Sequence, residues 1–198
     1  WPLVIALISA ATMTYGYLAA VVQTNLVRLI AYSSVAQSGY FLMGIVALGV
    51  SPLAVPGVII MAAAYVAMNL GAFAIVLVAG RQLDDIRSFG RTHPIAGVAM
   101  VVFLLALSGI PPLFGFVGKV YLFGAAIEAG YLWLAIIGIL NSVLALGVYL
   151  RIVVPMYQAA PEDVAGFRNS PHPALIAVIG VTSVVTLGMG LLAGLFPG

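Results

Sequence analysis

The sequence predicts an all-α, polytopic membrane bundle of six spans, the fourth of them a broken helix. Three observations carry that expectation. Hydrophobic residues make up 64% of the 198 residues and charged ones 6%, against roughly 25% charged in an ordinary soluble domain. The apolar residues fall into runs near the ~20 residues one helix needs to cross a bilayer, without the sustained period-two alternation of barrel strands. The arginines sit in alternate connections only, the asymmetry that membrane insertion produces.

Composition also excludes. A net charge of +2 is too small to suggest nucleic-acid binding. The chain has no cysteine, which removes disulfides, thiolate-held metals and iron–sulfur clusters. Its two histidines, His93 and His172, each stand beside a proline in a loop and make an unconvincing haem pair. No metal or cofactor site is expected in this chain. It opens at Trp1 with neither an initiator methionine nor a charged leader region, and is expected to be a piece of a longer protein forming one transmembrane domain over 1–198.

The first span is expected over 2–22, a continuous apolar run, with Gln23 to Arg28 as its polar connection. The second, 29–50, has an unusually polar opening of Tyr32, Ser33, Ser34, Gln37 and Ser38. Ser51-Pro52 and Pro56-Gly57 read as an uncharged turn. The third span, 58–79, carries Tyr65 and Asn69 one turn apart and so on one face. A polar loop from Arg81 to Pro94 follows. The run 95–128 is too long for one straight helix across a core of about 30 Å at about 1.5 Å per residue. Pro111 and Pro112 remove backbone donors and clash with the preceding turn, so a break is expected over 109–115, bounded by Gly109 and Gly115. The fifth span is expected over 131–149, a loop or amphipathic segment from Arg151 to Pro173, and the sixth span over 174–196.

Alternating the sides of these connections puts Arg28 in the first, Arg81, Arg87 and Arg91 in the third, and Arg151 and Arg168 in the fifth. The opposite connections hold no cation, only Glu128. By the positive-inside rule the arginine side is cytoplasmic.

Lys119 is the only lysine. Ten residues of helix, about 15 Å, separate it from Ala129, and an extended lysine reaches only roughly 6 Å. It therefore belongs near the bilayer centre, where an ionisable side chain marks a functional site by default. An amine at that depth can gain and lose a proton in operation, which is the chemistry of a relay. Backbone groups freed at the break can line a water-filled cavity, and Tyr32, Ser33, Ser34, Gln37, Tyr65 and Asn69 are candidates to support a water path. Glu128 lies nine residues further on and half a turn out of phase, so any acidic partner of Lys119 would lie outside this chain. The plainer readings are a simple kink at the prolines, interhelical glue for the hydroxyls, solvated charges at Glu128 and Asp84-Asp85, packing contacts at Gly71-Ala72-Phe73-Ala74 and Gly188-Met189-Gly190, and interfacial anchors at Tyr131 and Trp133.

The segments Ala31 to Tyr40, Ala67 to Phe73 and, above all, Ser108-Gly109-Ile110-Pro111-Pro112 with Gly115 to Tyr121 resemble the antiporter-like membrane subunits of respiratory complex I. Asp84 to Arg87, Glu128 to Ala135 and Asn141 to Val143 add to the resemblance. It implies a fourteen-helix protein built on two inverted repeats of five helices, of which this chain would hold the last six. Lys119 falls on the family's proton-channel lysine. The implied function is proton movement through that lysine and a water network, in a subunit of a proton-translocating NADH:quinone oxidoreductase that has no redox centre of its own. NADH, FMN, iron–sulfur clusters and quinone would belong to other subunits. The implied partners are other membrane subunits, neighbouring antiporter-like ones included, and the implied location is the bacterial inner (plasma) membrane. Two positions depart from the family pattern: Val27 where a lysine is common, and Gln37 where a histidine is common. The first removes a titratable group, and the second leaves a side chain that can only orient water. The competing functions are a cation/proton antiporter subunit and a membrane scaffold that no longer moves protons.

Overall fold

The computed structural model describes residues 1–159 and 172–195, with side chains through residue 192. Arg168, most of the segment expected as a loop between Arg151 and Pro173, and residue 196 of the expected sixth span lie outside the described residues. Within them the chain forms eight helices: α1 (Pro2–Val21), α2 (Leu26–Val46), α3 (Ala54–Ala79), the single turn α4 (Phe89–Thr92), α5 (Pro94–Ser108), α6 (Phe114–Glu128), α7 (Leu132–Tyr157) and α8 (Pro173–Leu195). The all-helical bundle is as predicted. Five helices, α1, α2, α3, α7 and α8, are long and apolar enough to cross a membrane. Helices α5 and α6, 15 residues each and so about 22 Å long, flank the break.

Several boundaries differ from expectation for local reasons. Helix α2 begins at Leu26 because Asn25 caps it, its side chain accepting from the Arg28 N–H at 3.0 Å. Pro56 and Gly57, expected in a turn, fall in the first turn of α3, where a proline has no intrahelical N–H to lose. The break narrows to 109–113, since Phe114 and Gly115 are already helical. Helix α7 passes the expected end at Tyr149 and runs to Tyr157. Arg151 does not stop it, because its guanidinium folds back to donate to the Val21 carbonyl at the end of α1. Beyond Arg151, Ile152 and Met156 keep the buried face going.

The connections gather at two ends. Leu26 N–H donates to Arg81 O at 2.7 Å and Leu83 N–H to Thr24 O at 3.0 Å, tying the first connection to the third. Ser88 N–H donates to Pro155 O at 3.3 Å, tying the third to the end of α7. Arg28, Arg81, Arg87, Arg91 and Arg151 thus belong to one end of the bundle. At the other end, Ser51 Oγ donates to Glu128 Oε2 at 2.5 Å.

Helix α1 lies against α2 at backbone distance. A Cβ on Gly39 would stand 2.8 Å from both Ser9 O and Met13 N, and Ser9 Oγ donates to Gly39 O at 2.6 Å; small residues permit such approach between membrane helices. Helix α8 covers the break, for a Cβ on Gly190 would meet Phe114 N at 2.7 Å and Leu113 C at 2.8 Å. Of the segment expected to pack, Gly190 alone makes such a contact; a Cβ on Gly188 would meet nothing within 4 Å, and Met189 is exposed.

Candidate functional site

The site is built by what two prolines take away. In a continuous helix the N–H groups of residues 111 and 112 would bond to the carbonyls of residues 107 and 108. Both positions are proline and have no N–H to give. Gly109 closes α5 in the left-handed region (φ 89°), its N–H turning back to Leu105 O and Ala106 O at 3.1 and 3.0 Å, while the Ile110 N–H reaches Leu105 O at 3.1 Å. This C-terminal closure leaves the Leu107 and Ser108 carbonyls pointing past the end of α5. Lys119 Nζ, on the second turn of α6, donates to both, at 3.1 and 2.9 Å. The negative end of the α5 dipole favours a cation at that place.

Lys119 is 2% exposed. Its third donor goes to Ser142 Oγ at 3.1 Å, and Nζ stands 4.4 Å from the centre of the Tyr40 ring, within cation–π range. Tyr40 OH in turn donates to Gly138 O at 2.8 Å and lies 3.0 Å from Ser142 Oγ. Among the described residues no carboxylate pairs with Lys119; Asp84 pairs with Arg87 at 3.3 Å, Asp85 accepts from the Arg81 and Gln82 N–H groups at 2.8 Å, and Glu128 holds Ser51. On one side of the lysine lies a cavity of about 370 Å³ between the break, α6 and α7, where Ser108, Lys119 and Ser142 interrupt an apolar wall of Phe116, Phe123 and Val143.

On the other side is Gln37. Its Nε2 donates to Leu107 O at 2.9 Å, a carbonyl shared with Lys119, and to Tyr17 OH at 3.2 Å. Ser33 Oγ bonds the Tyr149 hydroxyl, which also faces Gln37 and Tyr17. The structure thus places Ser33 and Gln37 on the Lys119 side of the bundle. Tyr65 and Asn69 form a separate group: Asn69 Nδ2 donates to Tyr65 OH at 3.0 Å, Tyr65 faces Ser34, and Ser34 Oγ donates to its own helix at Ile30 O. Tyr32 stacks edge-on with Tyr15, 6.4 Å between ring centres. No hydrogen bond among the described residues joins Tyr32, Ser34, Tyr65 or Asn69 to Lys119. Of the break residues, Gly109 makes the left-handed turn, Pro111 and Pro112 free the carbonyls, and Gly115 stands where a Cβ would strike the Ala106 carbonyl.

Sequence reasoning did not single out Tyr17, Tyr40, Asn141, Ser142 or Tyr149 as site residues. The available signal was register: Ser142 and Tyr149 are seven residues, two turns, apart on a mostly apolar α7, and Thr14 and Tyr17 share a face of α1. Tyr149 faces Tyr17, so the two pairs meet across the α1–α7 contact, and Asn141 Nδ2 adds a bond to Thr14 Oγ1 at 3.1 Å. No group of three or more His, Asp or Glu that could hold a metal occurs among the described residues.

A helical membrane bundle whose one buried amine rests on the freed carbonyls of a broken helix has the build of a mid-membrane site in transporter-type membrane proteins. The sequence pattern described as NADH:quinone oxidoreductase/Mrp antiporter, transmembrane part, matches residues 1–145, and the chain belongs to this family. Relatives named NADH-quinone oxidoreductase subunit N include one from an Anaeromyxobacter species, 45% identical over 96% of this chain and 39% of the relative. Another, from Paramagnetospirillum magneticum, is 41% identical over 97% of this chain and 40% of the relative. A chain of respiratory complex I from Thermus thermophilus superposes with a TM-score of 0.86 at 31% identity, covering 98% of this chain and 44% of that one. A chain of the Mrp complex from a Dietzia species gives 0.83 at 26% identity, covering 98% and 45%. The chain therefore spans about two fifths of the length of the curated relatives it matches.

Proposed function

We propose that this chain is part of subunit N of a bacterial NADH:quinone oxidoreductase, and that it moves protons through Lys119, driven by quinone reduction elsewhere in the complex. The observation that carries the proposal is the setting of Lys119: buried, held by two carbonyls and a hydroxyl, and without a carboxylate among the described residues. Neutral acceptors hold the amine in place while leaving its proton free to depart, whereas a carboxylate at the same distance would favour the charged form. In this reading α5 and α6 together make one crossing, so that the piece contributes six spans. The end carrying the arginines faces the cytoplasm of the inner membrane. Redox groups and quinone belong to other subunits, and neighbouring membrane subunits complete the surroundings of Lys119.

The test is Lys119→Ala in the full-length protein within its assembled complex, with proton uptake by inverted vesicles measured against the rate of quinone reduction. The expected result is normal assembly and a lower ratio of protons moved to quinone reduced. An unchanged ratio removes the relay and leaves a scaffold. Likeness to the Mrp complex supports cation/proton antiport more weakly, since the described residues offer sodium no carboxylate at Lys119; a sodium dependence of the ratio would revive that reading.

A further inference from the structure

We propose that Tyr149 is a proton relay between the arginine-bearing end of the bundle and Lys119, working with Tyr17 across a water bound at Gln37 Oε1. This rests on Lys119 being the proton carrier proposed above.

The polar groups form a nearly continuous file through the junction of α1, α2, α5 and α7. Ser33 Oγ bonds Tyr149 OH; Tyr149 OH faces Tyr17 and Gln37; Gln37 Nε2 reaches Tyr17 OH at 3.2 Å and Leu107 O at 2.9 Å; and Leu107 O accepts from Lys119 Nζ at 3.1 Å. One carbonyl separates the hydroxyls from the amine. A carbonyl accepts hydrogen bonds but cannot hand a proton on, so the last gap needs a group that both donates and accepts. Gln37 Oε1 is where such a group would sit. Gln37 is fully buried, both its N–H donors are used, and Oε1 accepts no hydrogen bond among the described residues. A buried water with two to four polar partners is the usual remedy for such an atom, and the hydroxyls of Tyr17 and Tyr149 are the neighbouring groups able to share it.

Register gives the file its direction. Tyr149 lies seven residues beyond Ser142 on α7, about 10 Å along the axis, on the side of Arg151. Ser33 lies four residues before Gln37 on α2, nearer the same end. The file thus leads from the depth of Lys119 toward the end where Arg151 donates to the Val21 carbonyl. The net proton comes from water at the arginine-bearing end, which resupplies Ser33. Tyr149 takes a proton from the Ser33 side and gives its own to the water, the water passes one to the neutral amine of Lys119, and each oxygen ends with the protons it began with. The reverse sequence returns the proton.

Tyr149→Phe keeps the ring and removes the hydroxyl. In the full-length protein within its complex, it is expected to assemble normally and to lower coupled proton movement by on the order of a hundredfold, with a larger solvent deuterium isotope effect on the remainder. Gln37→Leu should do the same, and Gln37→His, which restores a polar group able to bond water, should recover pumping. A hydroxyl that only glues helices together would alter thermal stability and leave the isotope effect where it was. If Lys119→Ala stops pumping while Tyr149→Phe and Gln37→Leu pump normally, the relay is wrong and the role of Lys119 stands. If Lys119→Ala pumps normally, both fall. Should Tyr149→Phe fail to assemble, the Gln37 pair decides: loss with leucine and recovery with histidine supports the relay, and normal pumping with leucine overturns it.

Discussion

Replacing Gly109 by alanine should unseat Lys119 without touching it in sequence. Gly109 holds φ 89° and ψ 43°, a left-handed conformation that costs an L-residue about 1–2 kcal/mol. The new methyl would stand 2.7 Å from Lys119 Cδ and 3.4 Å from Cε and Nζ, so the lysine must withdraw by roughly 0.7 Å to regain ordinary van der Waals contact. Passed along the side chain to Nζ, a shift of that size would carry the bonds to Ser108 O and Leu107 O, now 2.9 and 3.1 Å, past the ~3.5 Å at which a hydrogen bond is lost. Each bond from a charged donor is worth about 1.5–3 kcal/mol, so losing even one makes the seated ammonium at least about tenfold rarer. The assay is proton uptake by inverted vesicles per quinone reduced, with assembly checked separately. Gly109→Ala should lose about tenfold in that ratio. Gly109→Asn relieves the backbone, since asparagine tolerates left-handed angles, but carries the same Cβ, so it should assemble better and pump as poorly. A Gly109→Asn variant that pumps normally would refute the steric argument, and a normal Gly109→Ala would refute the whole of it.

Ser142→Ala removes one of three Nζ partners and leaves both carbonyls, so the pumping ratio should fall less than in Lys119→Ala, and Ser142→Thr should keep most of it. Gly118→Leu tests packing instead: a Cβ there would already stand 2.9 Å from Met61 Cα and 3.1 Å from Met61 N, so a larger side chain should force α3 and α6 apart, and the complex should fail to assemble on native gels.

The sequence made the break, the lysine and the shared end of the five described arginines legible because each is written in residue type. Two adjacent prolines break a helix in its interior, and a lysine in an apolar run has no cheap alternative position. The partners were not legible for an equally physical reason. Lys119 is held by the carbonyls of Leu107 and Ser108, which every residue type carries, so no letter in the sequence announces them. Ser33 meets Tyr149 across 116 residues, and Thr14 meets Asn141 across 127; only the packing of α1 and α2 onto α7 brings them together. Polar residues on the expected water path divided by helix face: Ser33 and Gln37 point inward, while Tyr32, the residue just before Ser33, packs against Tyr15. A single turn of α2 carries both kinds, and sequence spacing alone cannot say which face turns to the lysine.

The break and the lysine are better understood as one device than as two features. Without Lys119, the proline pair would leave the Leu107 carbonyl with Gln37 alone and the Ser108 carbonyl with no partner among the described residues, and an unmet buried acceptor costs about 1–3 kcal/mol. Without the prolines, the backbone N–H groups of residues 111 and 112 would take those carbonyls, and a lysine at this depth would have Ser142 and the Tyr40 ring but no pair of strong acceptors. Each repairs the fault the other introduces, which explains how an apolar bundle tolerates an ammonium group. The repair is reversible by construction. Dipoles rather than a fixed negative charge hold the amine, and Gln37 stands ready on the same Leu107 carbonyl at 2.9 Å. In the proposed relay, a Lys119 that has given up its proton leaves that carbonyl with a donor, and the neutral amine can wait for the next proton without stranding the acceptor.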